Sequence, residues 1–206
     1  MVKFVSEHIF STGSILDVCC GCGIIGVVCA NKAKQVVGMD LNSEAIRIAK
    51  INAALNSVDT KSYFRIRDLT NLNRSEERFD VVCANPPYLA IPPDLSYPIE
   101  GNGGPDGTQV IRKILGGLPN WLNQSGEAFL ILKSFVDIDP LLTPLLEADY
   151  EVKKTKLYTF GNLKQFIRTK VQDAYPSDHD RLEKIFSHHY AVLGVSHIDY
   201  YIIQIH

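Results

Sequence analysis

Asn85-Pro86-Pro87-Tyr88 brings two oxygen acceptors, a stiff backbone and an aromatic face together within four residues. A planar amide or amino NH2 is a poor nucleophile because its lone pair is delocalised into the neighbouring π system. If the Asn85 side-chain oxygen and the Pro86 carbonyl each accept one N–H, the nitrogen is drawn toward tetrahedral geometry and its lone pair becomes available. Pro87 stiffens the turn, and Tyr88 offers a face on which a flat group can stack. The chemistry this suits is transfer of an electrophilic carbon to a planar nitrogen. Positioning and electrostatics would supply the rate, with no acid–base pair and no metal. The competing reading is an Asn-Pro-Pro turn that merely ends a strand.

A second set of residues suits an adenosyl ligand. Asp17-Val18-Cys19-Cys20-Gly21-Cys22-Gly23-Ile24-Ile25-Gly26 reads as a strand, a glycine turn and the start of a helix. Such glycines let backbone approach a ligand, and the helix start favours negative charge such as a carboxylate. The Gly21-x-Gly23-x-x-Gly26 fingerprint is weak alone, because any tight strand-to-helix turn needs glycines. Asp40, at the tip of the next strand, either bridges two ribose hydroxyls or caps the following helix. Asp17 is expected to face a ligand ammonium group, and Asp68 an adenine amino group. With Cys19, Gly21, Gly23, Leu41, Leu69 and Asn85 these acids make up the expected cofactor site. The set favours S-adenosylmethionine (SAM) over NAD, which would leave the Asn-Pro-Pro-Tyr run unexplained.

The elements that must carry these residues follow from apolar runs and punctuation. Strands are expected at Ser14–Cys19, Gln35–Met39, Tyr63–Ile66, Phe79–Ala84, Glu127–Leu132, Tyr150–Tyr158 and Tyr200–Ile205. Helices are expected from the glycine turn to about Asn31, from Ser43 with Ser43 or Asn42 as cap, over Thr108–Leu122, and over Pro140–Ala148. A Pro/Gly-rich loop fills Leu89–Gly107. This alternation implies an α/β fold with a doubly wound, mostly parallel seven-stranded sheet, Rossmann-like, with ligands at the carboxyl ends of the strands. The chain reads as one domain over residues 1–206, with a helical insertion at about 161–196.

The chain has 206 residues and a formal net charge of −2, with 46% hydrophobic and 21% charged residues. That composition is globular, and the slight acidity argues against tight non-specific nucleic-acid binding. No run is long and apolar enough to span a bilayer, and Met1–Phe10 is interrupted by Glu7 and His8. Four of the five cysteines crowd into Cys19–Cys29, with Cys83 apart. An odd, clustered set is a poor disulfide framework, so a cytoplasmic location is expected. Zinc ligation by Cys19, Cys20, Cys22 and Cys29 is the sharper alternative to small buried thiols, but paired C-x2-C arms are missing, and no metal is expected.

From about Ser14 to Leu132 the sequence resembles the release-factor glutamine methyltransferases, and more broadly the small-domain class I methyltransferases. The resemblance lies in the Asp17–Gly23 turn, Asp40 with a helix containing Asn52-Ala53, Phe79-Asp80 before Asn85–Tyr88, Gly103-Gly104-Pro105-Asp106-Gly107, and the helix leading to Gly126. It implies a SAM site lined by Asp17, Gly21, Gly23, Asp40, Asp68 and Asn85, with Asn85 and Pro86 holding the nitrogen to be methylated. Cys19 stands where the family has a glycine, and Ser96-Tyr97-Pro98 replaces its Glu-Pro. The 13 residues before the first strand leave no room for the family's helical recognition domain. The acceptor is read as a planar amide or amino nitrogen, a protein glutamine by the resemblance, with a small planar-nitrogen metabolite or a nucleobase, or a SAM-consuming reaction without methyl transfer, as alternatives.

The 161–196 segment carries Lys164, Phe166, Arg168, Lys170, Tyr175, His179, Arg181, His188, His189 and Tyr190. It is expected either to cover the active site and select the acceptor, or simply to pack on the sheet edge.

Overall fold

Apolar alternation sorts the strand residues onto two faces, and each face finds its own helices. The computed structural model describes residues 13–69, 77–192 and 197–206. Its strands are β1 (Ser14–Val18), β2 (Gln35–Asp40), β3 (Ser62–Ile66), β4 (Phe79–Ala84), β5 (Leu122–Lys133), β6 (Val152–Asn162) and β7 (His197–Ile205). The helices are α1 (Ile24–Cys29), α2 (Ser43–Leu55), α3 (Gln109–Trp121), α4 (Asp139–Glu147), α5 (Leu163–Gln172) and α6 (His179–Val192). Met1–Phe10 and the last residues of the expected insertion lie outside the described residues.

The sheet has seven strands in the order β3-β2-β1-β4-β5-β7-β6. β1 to β5 pair in parallel, and β7 runs antiparallel to both its neighbours, β5 and β6. Ile15, Val36, Val81, Phe129, Ile131 and Ile202 face α1 and α2. Leu16, Val37, Val82, Leu130 and Ile203 face the other way, toward the cluster built by α3 to α6. The strand order reverses between β1 and β4, where Val18 pairs with Ala84. The glycine turn and Asn85 therefore leave the sheet side by side, at the switch point where α/β sheets bind ligands.

Several boundaries differ from expectation. α1 has only six residues and stops at Cys29 rather than Asn31. β5 begins at Leu122, where it pairs with Phe79 of β4, and β6 runs on to Asn162 because β7 offers partners as far as His197. The insertion thus starts at Leu163 with α5, whose cap is Asn162. Asn42, not Ser43, caps α2 and accepts from the Glu44 and Ala45 N–H groups. Asp80 sits at the far, amino end of β4. It accepts from the Ser14 N–H at 2.7 Å and from Asn123 Nδ2 at 2.7 Å, knitting β1, β4 and β5 together. Those hydrogen bonds, Ser14 first, hold its carboxyl below the usual range.

Candidate active site

A cavity of about 330 Å³ opens at the carboxyl ends of β1, β2, β3 and β4. Of the residues singled out in the sequence, Cys19, Gly21, Asp40, Leu41, Asp68, Leu69, Asn85 and Pro87 lie on its wall. Asp40 is held by two backbone donors, Gly21 N–H and Asn42 N–H, each at 2.9 Å. One carboxylate thereby joins the glycine turn to the start of α2, and each oxygen keeps a lone pair for a ligand hydroxyl. Asp40 is not the helix cap, since Asn42 has that role. On the other side of the turn Asn52 Nδ2 donates to the Cys22 carbonyl at 2.8 Å. The turn is thus clamped at both ends before any ligand arrives.

Cys19 adopts φ 56, the left-handed region that a glycine fills without strain. Burial, then Asp40 and Asp17, push the Cys19 thiol up to about 12, and burial raises Cys20, Cys29 and Cys83 as well. Cys19 is half-buried, Cys20 and Cys29 are buried and Cys22 is exposed. Among the described residues no three His, Cys, Asp or Glu side chains form a metal-binding group, the 161–196 histidines included.

Asp17 is not on the cavity wall. It is fully buried on the Ile15 face of β1, beneath α1, and its Oδ2 accepts the Gly26 N–H at 2.9 Å. The anion expected at the start of α1 is thus the protein's own carboxylate, which satisfies one of the N–H groups a helix start leaves open. Among the described residues its Oδ1 has no hydrogen-bond partner. Burial raises its pKa from 3.8 to about 7, against the Gly26 hydrogen bond. Gly23 also lies behind the wall, heading α1 at φ 77 against Ala49 and Phe64.

The Asn85–Tyr88 turn is divided between two cavities. Asn85 is exposed and, with Pro87, faces the first cavity, while Pro86 is buried off its wall. Tyr88 faces a second cavity of about 290 Å³, lined also by Leu89, Tyr97, Pro98, Glu100, Gly101, Lys170 and Asp173. Glu100 belongs to both walls. The chain after Tyr88 is held by Leu89 N–H to Gly101 O at 3.0 Å, Gly103 N–H to Leu89 O at 2.9 Å, and Ile91 N–H to Gly104 O at 2.9 Å. Gly107, at φ 74, lies so close that an added Cβ would stand 2.5 Å from the Tyr88 carbonyl oxygen. The glycine-rich segment is therefore the brace of the turn.

Residues that sequence reasoning missed come from this brace and from α3: Ile99, Glu100, Asn102, Val110 and Lys113, with Arg67 at the end of β3. No spacing signal marks them, since only the folded loop brings them to the wall. The inserted segment contributes Lys170 and Asp173 of the second cavity, an ion pair at 2.8 Å. Among the contacts that tie it to the loop, Tyr97 Oη donates to Lys170 O at 2.8 Å, the Tyr97 ring meets Phe186 edge-on at 6.5 Å, and Arg181 pairs with Asp94.

The residues fit an adenosyl sulfonium ligand. Asp40 has spare acceptor capacity, Gly21 would leave an added Cβ with nothing within 4 Å, and Ile24, Met39, Leu41, Leu69 and Ile99 supply apolar wall. The model of the methyltransferase small domain matches residues 1–160. The chain belongs to that family. It is a SAM-dependent methyltransferase. A Methanocaldococcus jannaschii protein that carries the name "Putative protein N5-glutamine methyltransferase" is 32% identical over 146 residues, covering 68% of this chain and 71% of that one. A release factor glutamine methyltransferase of Thermodesulfovibrio yellowstonii is 34% identical over 134 residues; the match covers 59% of this chain and only 47% of that relative. Among solved structures, a SAM-dependent methyltransferase from Thiobacillus denitrificans, in complex with S-adenosyl-L-homocysteine, shares the fold. Its TM-score is 0.59 at 11% identity, covering 100% of this chain and 90% of that one. Among the described residues of this methyltransferase, no helix is long and apolar enough to cross a membrane.

Proposed function

We propose that this methyltransferase transfers a methyl group to a planar side-chain nitrogen, foremost the amide of a protein glutamine, at the turn between its two cavities. The observation that carries this is the division of Asn85–Tyr88, with Asn85 and Pro87 on the first cavity and Tyr88 on the second. SAM, bound in the first cavity, supplies an electrophilic methyl carried on a positively charged sulfur. Asp40 accepts from the ribose hydroxyls, Asp68 from the adenine amino group, and Leu41 and Leu69 pack on the purine. Asn85 Oδ1 accepts one amide hydrogen and the backbone carbonyl of Pro86, whose ring is buried off the wall, is assigned the other by the family resemblance, turning the nitrogen lone pair toward the first cavity; one of these hydrogens is given up as a proton on methylation. Tyr88 bounds the second cavity, where the acceptor enters. The names of the relatives above favour a glutamine amide.

The test is Asn85→Ala with isotopically labelled SAM, offered protein, RNA and small-molecule fractions. Transfer to protein is expected to fall by about a hundredfold or more, the scale of losing one preorganised polar contact at a reacting centre. SAM affinity is expected to stay within about threefold, because Asn85 is one wall residue among many. Intact turnover in the variant refutes the role of Asn85. Label entering RNA or a metabolite in place of protein overturns the acceptor.

A further inference from the structure

Lys133 ends β5, beside the strand that delivers Asn85–Tyr88, and only 5% of its surface is exposed. Its Nζ stands 3.8 Å from the centroid of the Tyr88 ring and 4.9 Å from the centroids of Phe166 and Tyr200. Among the described residues no hydrogen bond or carboxylate reaches it. The three rings come from three places: the catalytic turn, the inserted helix α5 and the antiparallel strand β7. Phe135 extends the cluster, edge-on to Tyr88 at 5.6 Å and 5.4 Å from Phe166.

A buried amine without a carboxylate is costly. Burial, and then the neighbouring Lys170, pull it from 10.5 down to about 7. A methionine would fill the same space without that cost. What an ammonium adds is attraction to the negative face of an aromatic ring, strongest away from water. The second cavity is lined by Tyr88 but not by Lys133, whose amine stands over the ring.

We infer that Lys133 is a positioning residue of the acceptor site: its ammonium, seated over Tyr88, fixes the ring that walls the second cavity and ties it to α5. This rests on the acceptor reading above for its functional consequence, but not for its geometry. Lys133 touches neither cavity wall, so it acts through Tyr88.

Lys133→Met, compared with the parent at pH 6, where the amine holds its proton, separates the two levels. Backbone amide exchange at Leu89 and Ile91, which follow the ring, is expected to accelerate roughly tenfold, the scale of one desolvated cation–π contact. The melting temperature is expected to stay level or rise, since a buried amine has been removed. With labelled SAM and the peptide acetyl-Ala-Ala-Gln-Ala-Ala-amide, acceptor KM is expected to rise about tenfold while SAM affinity stays within about twofold. In a Tyr88→Leu background the same substitution is expected to change KM less than about twofold. Unchanged exchange at Leu89 and Ile91 overturns the inference. So does acceleration spread over the whole sheet with a lowered melting temperature, which marks a merely structural lysine. Asn85→Ala is expected to leave exchange at Leu89 and Ile91 unaltered. A failed acceptor reading and a failed role for Lys133 therefore give different results.

Discussion

Asp17→Asn should make the folded protein more resistant to unfolding at alkaline pH and leave it nearly unchanged in acid. In the native state Asp17 is fully buried and titrates near 7, against 3.8 in its ordinary setting. Below about pH 4 both folded and unfolded chains hold the proton, and the carboxyl costs nothing extra. As pH rises from 4 to 7 the unfolded chain releases the proton and the folded one keeps it, so stability falls. Above 7 the penalty levels off at about 4 kcal/mol, at 1.36 kcal/mol for each tenfold step in proton concentration. The amide that replaces the carboxyl cannot ionise and escapes this loss, while its oxygen still accepts the Gly26 N–H. Its NH2 stands where Oδ1 was unpartnered, at a cost of about 1–3 kcal/mol, comparable to the unpartnered hydroxyl of the protonated acid. The stability difference between variant and parent should therefore climb by about 4 kcal/mol between pH 4 and 8, most of it before pH 7. Urea unfolding of both proteins at unit pH intervals measures it, and taking the difference cancels every other titrating group. A difference that is flat with pH refutes the buried, protonated carboxyl.

Two further outcomes follow from the loop geometry. Asp40→Ala should weaken SAM binding about a hundredfold by calorimetry, from two lost hydrogen bonds to a charged acceptor. Adenine, which lacks the ribose, should bind the variant and the parent alike. Gly107→Ala should destabilise the fold by at least about 2 kcal/mol in denaturant and depress methyl transfer, because its Cβ meets the Tyr88 carbonyl in a left-handed backbone.

Much of this architecture was legible because it is written in short-range patterns. Phe79–Ala84 is apolar throughout except for Asp80 and stops at a double proline, so β4 and its turn were read to the residue. Asp40 and Asn85 could be placed because one ends such a run and the other directly follows it, and Asp68 stands two residues past β3. Asp17 shows the limit. The alternation that puts it on the Ile15 face also puts it under α1, but the nearness of the strand end to a ligand invites the opposite inference. The end of β6 depended on pairing with His197, a contact between residues far apart in the chain. Lys133 reads as the polar end of an apolar strand, and nothing local announces three rings around its amine. Glu100 and Lys113 reach the cavity only because the 101–104 backbone lies along Leu89, an arrangement held by hydrogen bonds that carry no side-chain signature.

The placing of β7 has a consequence for how the chain is made. β5 and β6 are synthesised before it and yet never touch as neighbours, because β7 lies between them. Until Ile205 has emerged from the ribosome, the growing sheet ends in the bare edge of β5, whose residues Phe129–Leu132 are all apolar. Such an edge is a template for pairing with any other extended strand. Newborn chains should thus be most prone to clumping in the interval between completion of β5 and arrival of the strand that seals it.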